Sequence, residues 1–214
     1  MIVVHHLNNS RSQRILWMLE ELDLPYEIRR YKRDPKTMMA PPEMKLVHPL
    51  GKSPIVEDSD PDAGRVILVE TGAICEYLAD KAGGHLGPPT DRDGALLYRQ
   101  FLHYAEGSVM PPILAMLVVA RVPLLGRFGV KQVRPMLDTH LDFVEAELNR
   151  RPWFAGAELT AADIMMSFPL ETARARGFVD DGKKATVDWL HRIHARPAYQ
   201  RALEKGGRYA FSGT

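Results

Sequence analysis

Residues 2–31 read IVVHHLNNSRSQRILWMLEELDLPYEIRRY, and the repeat of apolar residues changes twice along them. Residues 2–7 are β-branched and predict a strand. Asn8, Asn9 and Ser10 interrupt it with the polar residues that open helices. From Ile15 the apolar positions recur as Ile15, Leu16, Leu19 and Leu22, the spacing of one helical face. Leu24-Pro25 stops that helix, and 26–31 alternates as a second strand. A strand, a helix and a strand joined in this way form a right-handed crossover with the two strands parallel.

Working outward, 34–47 has little period and predicts a loop with a short helix. Residues 53–58 and 65–69 predict two further strands, with the polar stretch 58–64 as a hairpin turn between them. A helix is expected from Glu70 to about Lys81. This order is β-α-β-(α)-β-β-α, a mixed four-stranded sheet in which a parallel pair meets an antiparallel pair. Gly83, Gly84, Gly87, Pro88 and Pro89 mark a linker. Beyond it only helical patterns occur, over 91–120, 129–150, 160–174, 185–195 and 197–205, with Pro111-Pro112 set to kink or break the first. The expected organisation is an α/β domain over 1–82, a linker over 83–90 and an all-α domain over 91–214. One helix start is strongly specified. Thr160 is its N-cap, Asp163 stands at the third position in an aspartate form of the capping box, and Leu159 and Ile164 occupy the staple positions.

The bulk numbers narrow the class. The 214 residues are 45% hydrophobic and 26% charged, enough for a buried core without disulfide staples. Lys plus Arg number 28 against 27 acidic residues, a net charge of +1, so nothing points to a nucleic acid or an anionic membrane. A single cysteine, Cys75, rules out an intramolecular disulfide and fits a reducing, cytoplasmic setting. The opening residues lack the basic and apolar regions of a secretory signal, and the longest apolar stretch, 113–120, is too short to span a bilayer. His5 and His6 point to opposite faces of their strand. His191 and His194 share a helix face without a third ligand, so no metal site is expected. Cys75 falls on an apolar helix face and reads as core.

Four marks now lie in order on this pattern. They are Asn8-Asn-Ser-Arg-Ser-Gln-Arg14 at the first strand-to-helix turn, Lys52-Ser53-Pro54 opening the third strand, Glu70-Thr71-Gly72 opening the third helix, and Leu159-Thr160-Ala-Ala-Asp163 capping a late helix. Together they resemble the cytosolic glutathione S-transferases over essentially the whole chain, and within them the bacterial and fungal serine-type members related to the theta and phi classes. The resemblance implies a thioredoxin-like α/β N-terminal domain that holds glutathione as co-substrate, and an all-helical C-terminal domain that shapes a pocket for a hydrophobic electrophile. It also implies a homodimer. A proline opening this strand is expected to be cis, leaving the backbone of Ser53 open to strand-like pairing with the cysteinyl unit. Glu70 and Thr71 stand where helix N–H groups and a hydroxyl can take the γ-glutamyl carboxylate, with the Glu70 carboxylate facing the ammonium group. Lys52 is the counterpart of a lysine that pairs with the glycyl carboxylate in related classes.

The thiol must become a thiolate to react. Lowering its pKa by about two units takes roughly 2.7 kcal/mol. A helix dipole contributes about 0.3–1 kcal/mol, up to ~2 when partly buried, and a hydrogen bond to a charged group roughly 1.5–3 kcal/mol. The dipole with one hydroxyl therefore suffices. In theta and phi members a catalytic serine precedes an arginine by the interval separating Ser10 from Arg14, which makes Ser10 the first candidate. Asn9, through its amide N–H, and Ser12, through a second hydroxyl, remain alternatives. The 9–12 interval is where related oxidoreductases carry two cysteines, and here it carries none, so a protein dithiol mechanism is excluded. Two other uses of such a site stay open: glutathione-dependent reduction of a disulfide or peroxide, as in nu-like members, and a binding role without catalysis. Met110, Met116, Leu117 and Phe128 are the guesses for the electrophile pocket.

Overall fold

The computed structural model describes residues 1–60, 64–123 and 126–212. The chain divides into two compact units: Met1–Gly87 together with His194–Ser212, and Pro88–Ile193.

The first unit is built on a sheet of order β2-β1-β3-β4, with β1 at Ile2–Leu7, β2 at Tyr26–Tyr31, β3 at Ile55–Asp60 and β4 at Gly64–Leu68. β1 and β2 are parallel, with Ile2 opposite Tyr26, and β3 runs antiparallel to both β1 and β4. This is the thioredoxin-like arrangement. Both strands extend into the stretch read as a turn over 58–64, β3 to Asp60 and β4 from Gly64. The tip of that turn, 61–63, lies outside the described residues. β1 is central and buried along its whole length. Its alternation puts Leu7 against Met44 and Ile55 on one face, while His6 reaches Ser12 on the other. His5 shares the Leu7 face. Its ring bonds Tyr31 Oη at 2.9 Å and Glu57 Oε1 at 2.7 Å, and Glu57 accepts from Arg65 Nε at 2.9 Å, a polar row that crosses all four strands.

α1, Ser12–Glu21, buries every residue from Ile15 to Leu19 completely. It packs on β1, on α3 (Thr71–Lys81) and on α9 (Pro197–Gly206). α2, Met44–Val47, is the short helix expected before the third strand. The sequence reading put α9 with the other helices, yet it belongs to this first unit, and the reason is local. Trp17 meets Tyr199 edge to face at 5.3 Å. Glu20 accepts from Tyr26 Oη at 2.6 Å and from Arg201 Nε at 2.8 Å, and also pairs with Lys205. Glu21 accepts from Arg196 Nη2 at 2.8 Å. Gly206 lets the two helices approach closely, since a Cβ there would stand 2.8 Å from Gln13 Oε1.

The second unit contains α4 (Arg92–Tyr104), α5 (Met110–Val119), α6 (Gly126–Arg150), α7 (Ala161–Ala175) and α8 (Lys184–His194). Pro111-Pro112 act as expected, but by a specific device. A π-helical turn, Ala105–Val109, separates α4 from α5, and the prolines occupy the first positions of α5, where no N–H is required. The run Arg92–Val119 is long and apolar enough by composition to cross a membrane. In this unit Tyr98, Phe101 and Leu102 on it are buried, and α4 packs on α7. α7 is buried from Ala161 to Ala173, and its start is the capping box foreseen at Thr160 and Asp163.

Candidate active site

The C-terminal ends of β1 and β2 open onto the turn at residues 8–10. Asn9 holds a left-handed φ of 50°, a conformation asparagine tolerates better than most residues. The turn is clamped from two sides. Arg33 donates from Nε to the Asn8 carbonyl at 3.1 Å and from Nη2 to the Asn9 carbonyl at 3.4 Å, while its own N–H donates to Asn8 Oδ1 at 2.9 Å. From the C-terminal segment, the Ala210 N–H donates to Asn9 Oδ1 at 2.8 Å.

Ser10 follows the turn and is 4% exposed. Its oxygen accepts the Ser12 N–H at 3.2 Å, as an N-terminal cap does, and its hydroxyl donates to Ser53 Oγ at 3.3 Å. Ser53 in turn donates to the His5 carbonyl at 3.0 Å. Ser12 is fully buried and bonded inside the fold. Its oxygen accepts the Leu7 N–H at 3.3 Å, lies 2.8 Å from Ser10 Oγ and 2.9 Å from His6 Nδ1. Burial pushes the His6 ring down to about 4, helped by the Arg30 charge and opposed by a hydrogen bond to the Gly206 backbone. The ring is therefore neutral near pH 7. With its other nitrogen donating to Gly206, Nδ1 is the acceptor, and the Ser12 proton points at it. The Ser10 proton is then left to a neighbouring serine oxygen, Ser12 Oγ at 2.8 Å or Ser53 Oγ at 3.3 Å.

The remaining candidates sort by exposure. The Ser53–Pro54 bond is cis. Ser53 lies just ahead of β3, and among the described residues its backbone N–H and C=O join no hydrogen bond. Lys52 is exposed beside it. Thr71 is buried at the start of α3, where Arg14, 1% exposed, donates from Nη2 to its hydroxyl at 3.2 Å. Glu70 precedes it with a left-handed φ of 69° and an exposed side chain. The fold thus brings Ser10, Ser12 and Ser53 into one bonded group and joins Arg14 to Thr71, while Lys52 and Glu70 stand in solvent and Asn9 Oδ1 turns to the tail. Cys75 is fully buried, and burial pushes its thiol up to about 12, so it is core and no nucleophile. Of the guesses for the second pocket, Met110 and Met116 are buried core and Phe128 is 66% exposed.

His6 and Arg33 were missed by the sequence reading. His6 carried a usable signal, because strand alternation sets it on the α1 side, within reach of a polar residue in the first turn. Arg33 carried none, since its donors go to main-chain carbonyls.

The family model for the glutathione S-transferase N-terminal domain matches residues 10–81, and that for the C-terminal domain matches residues 125–197. The chain is 39% identical to glutathione S-transferase 3 of Schizosaccharomyces pombe, an alignment covering 96% of this chain and 88% of that protein. The chain belongs to the glutathione S-transferase family. A second relative, glutathione S-transferase 1 of Saccharomyces cerevisiae, is 35% identical over 95% of this chain and 94% of its own. A glutathione S-transferase structure from Actinobacillus pleuropneumoniae superposes with a TM-score of 0.85 at 31% identity, covering 100% of this chain and 97% of that one. In this glutathione transferase a serine, Ser10, stands just ahead of α1.

Proposed function

We propose that glutathione lies extended beside Ser53, paired with the main-chain groups that the fold leaves unbonded there, with its sulfur at Ser10. The thiolate then attacks a hydrophobic electrophile, forming a carbon–sulfur bond as the leaving group departs with its electron pair. The reading rests on the Ser10 hydroxyl. It sits just ahead of α1, its oxygen already accepts the Ser12 N–H, and its proton can turn from the oxygen of Ser12 or Ser53 to sulfur. Accepting one hydrogen bond strengthens a hydroxyl as a donor of the next. The turn adds the partial positive charge of the helix start. Thr71, held by Arg14, and the α3 N–H groups take the γ-glutamyl carboxylate. Glu70 takes the ammonium group and Lys52 the glycyl carboxylate. Glutathione binding has support in the family: a glutathione transferase family member from Pseudomonas fluorescens, 26% identical to this chain, has two glutathione bound in its crystal structure.

Ser10→Ala is the decisive test. Losing a hydrogen bond to the thiolate, about 1.5–3 kcal/mol, raises the pKa of bound glutathione by roughly one to two units. The ultraviolet absorbance of the enzyme-bound thiolate, followed against pH, reads this directly. If Ser10→Ala keeps the wild-type titration and Asn9→Ala shifts it, activation belongs to the Asn9 amide. Ser12 is sealed beneath Ser10 and serves as its support.

A second reading, glutathione-dependent disulfide reduction, draws on one observation. The chain is 27% identical, over 96% of its length, to a disulfide-bond oxidoreductase, YfcG of Escherichia coli. Turnover of a small disulfide against an aryl halide separates the two. A cytoplasmic homodimer goes with either reading, and the exposed Leu96 on α4 offers an apolar contact for it.

A further inference from the structure

A cavity of about 510 Å³ lies on the α9 side of the sheet, at the C-terminal ends of β1 and β2 and beneath the segment that follows α9. Its polar lining is dominated by Arg30, Lys32 and Arg33 at the end of β2 and by Arg208 from the C-terminal segment, with His6 among the residues beneath them. Among the described residues none that lines it is acidic. The contrast with the adjacent seam is sharp. On α9 and just before it, Arg196, Arg201 and Lys205 each meet a carboxylate of α1, Glu21 or Glu20. The four cations of the cavity form no ion pair with any described residue. Arg33 spends its guanidinium on the carbonyls of Asn8, Asn9 and Met38, and Arg30 donates to the Lys205 carbonyl. Carbonyls orient these groups without cancelling their charge.

Two further facts agree. Burial, with the Arg11 charge added to it, pushes the Arg33 guanidinium below its ordinary value, and no carboxylate acts on it in return. His6 is neutral, so it adds no charge of its own. Four uncompensated positive groups around a concave, partly walled space focus a positive potential into it. The volume falls within the range of small-molecule pockets. We propose that this cavity binds a compact anion carrying two or more negative charges, a phosphate ester or a polycarboxylate, at a site separate from the one assigned to glutathione. Arg33 and Arg30 are the pre-oriented members, since their guanidiniums are already fixed by main-chain carbonyls. Lys32 and Arg208 are exposed and close on the anion from either side. The cavity shares Asn8 and Asn9 with the turn beside Ser10 but uses neither Ser10, Ser53 nor Thr71, and competition with S-methylglutathione tells the two sites apart.

Calorimetry on the whole chain tests this. Inorganic pyrophosphate and citrate are titrated separately, each with and without saturating S-methylglutathione. At low salt one of them binds with Kd below about 1 mM, and added salt weakens it, as screening requires. S-methylglutathione leaves that affinity unchanged, and the tighter of the two anions names the ligand class. In the double variant Lys32→Gln/Arg208→Gln, affinity falls about tenfold or more, as expected from removing two charges in contact range. Both residues are exposed, and an unchanged thermal midpoint confirms that the variant is folded. The proposal is overturned if neither anion saturates below about 10 mM, if S-methylglutathione displaces the anion, or if the folded double variant binds it as tightly as wild type.

Discussion

Asp163→Asn isolates how much one buried carboxylate contributes to the helical unit. Both oxygens of Asp163 are acceptors. Oδ1 takes the Phe154 N–H at 3.0 Å and the Trp189 indole N–H at 3.2 Å. Oδ2 takes the Thr160 N–H at 3.1 Å and the Thr160 hydroxyl at 3.3 Å. The side chain is wholly buried, and it ties the start of α7 to the loop before it and to α8. Asparagine has the same shape but only one accepting atom. Whichever way its amide turns, an NH₂ faces a main-chain N–H that has no water to fall back on. Losing acceptance by a charged group costs about 1.5–3 kcal/mol, and leaving a buried donor unmet costs about 1–3 kcal/mol. The sum in practice is about 3 kcal/mol, because the loop can relax. For a chain of this size each kcal/mol moves the thermal midpoint by about 2–4 °C, so a fall of about 6–12 °C is expected in a circular-dichroism melt. Thr160→Ala removes only the hydroxyl side of the cap, about 1 kcal/mol, and falls by a third as much. Below its lowered midpoint Asp163→Asn retains transferase turnover, since no reacting group has changed. A midpoint within about 2 °C of wild type, or an unchanged midpoint with lost turnover, refutes the structural role.

Glu20 gives a pH signature. Burial alone would raise its carboxyl, but hydrogen bonds from Lys205, Tyr26 and Arg201 outweigh that and hold it below its ordinary value. A depressed carboxyl contributes stability above its unfolded pKa, near 4.5, and loses that contribution as pH falls through the folded value. The stability gap between wild type and Glu20→Gln, read from urea midpoints, is therefore present near neutral pH and closes as pH drops below the unfolded value. A gap that is constant with pH points to packing instead. Gly206→Ala tests the close approach of α9 to α1. Its Cβ would lie 2.8 Å from Gln13 Oε1 and 2.9 Å from Leu16 Cδ1, and overpacking of this kind costs about 1–3 kcal/mol. A urea midpoint equal to wild type would mean that α9 shifts freely on its seat.

What the sequence could and could not disclose follows from the range of the forces involved. The crossover over 2–31 was legible because strand and helix periods differ, and proline and asparagine mark where one gives way to the other. The capping box was legible for a similar reason, since both its partners lie within one turn. α9 was legible as a helix but not in its place. Its buried residues Ala198, Tyr199 and Ala202 would suit any apolar groove, and Trp17, Glu20 and Glu21 of α1, some 175 to 185 residues earlier, give it an address. The same distance hid the cationic cavity. Arg30, Lys32 and Arg33 alone read as the solvated side of an edge strand, a common use of such residues. They become a potential binding surface only when the docking of α9 carries Arg208 back over them. The candidate site divides along the same line. Ser10 was a candidate because a hydroxyl just after a strand, four residues ahead of an arginine, resembles the serine-type family pattern, whereas the neutrality of His6 depends on burial beneath Gly206 from the far end of the chain. Local sequence therefore offered the candidate hydroxyl, and long-range docking decides which neighbour holds it in place.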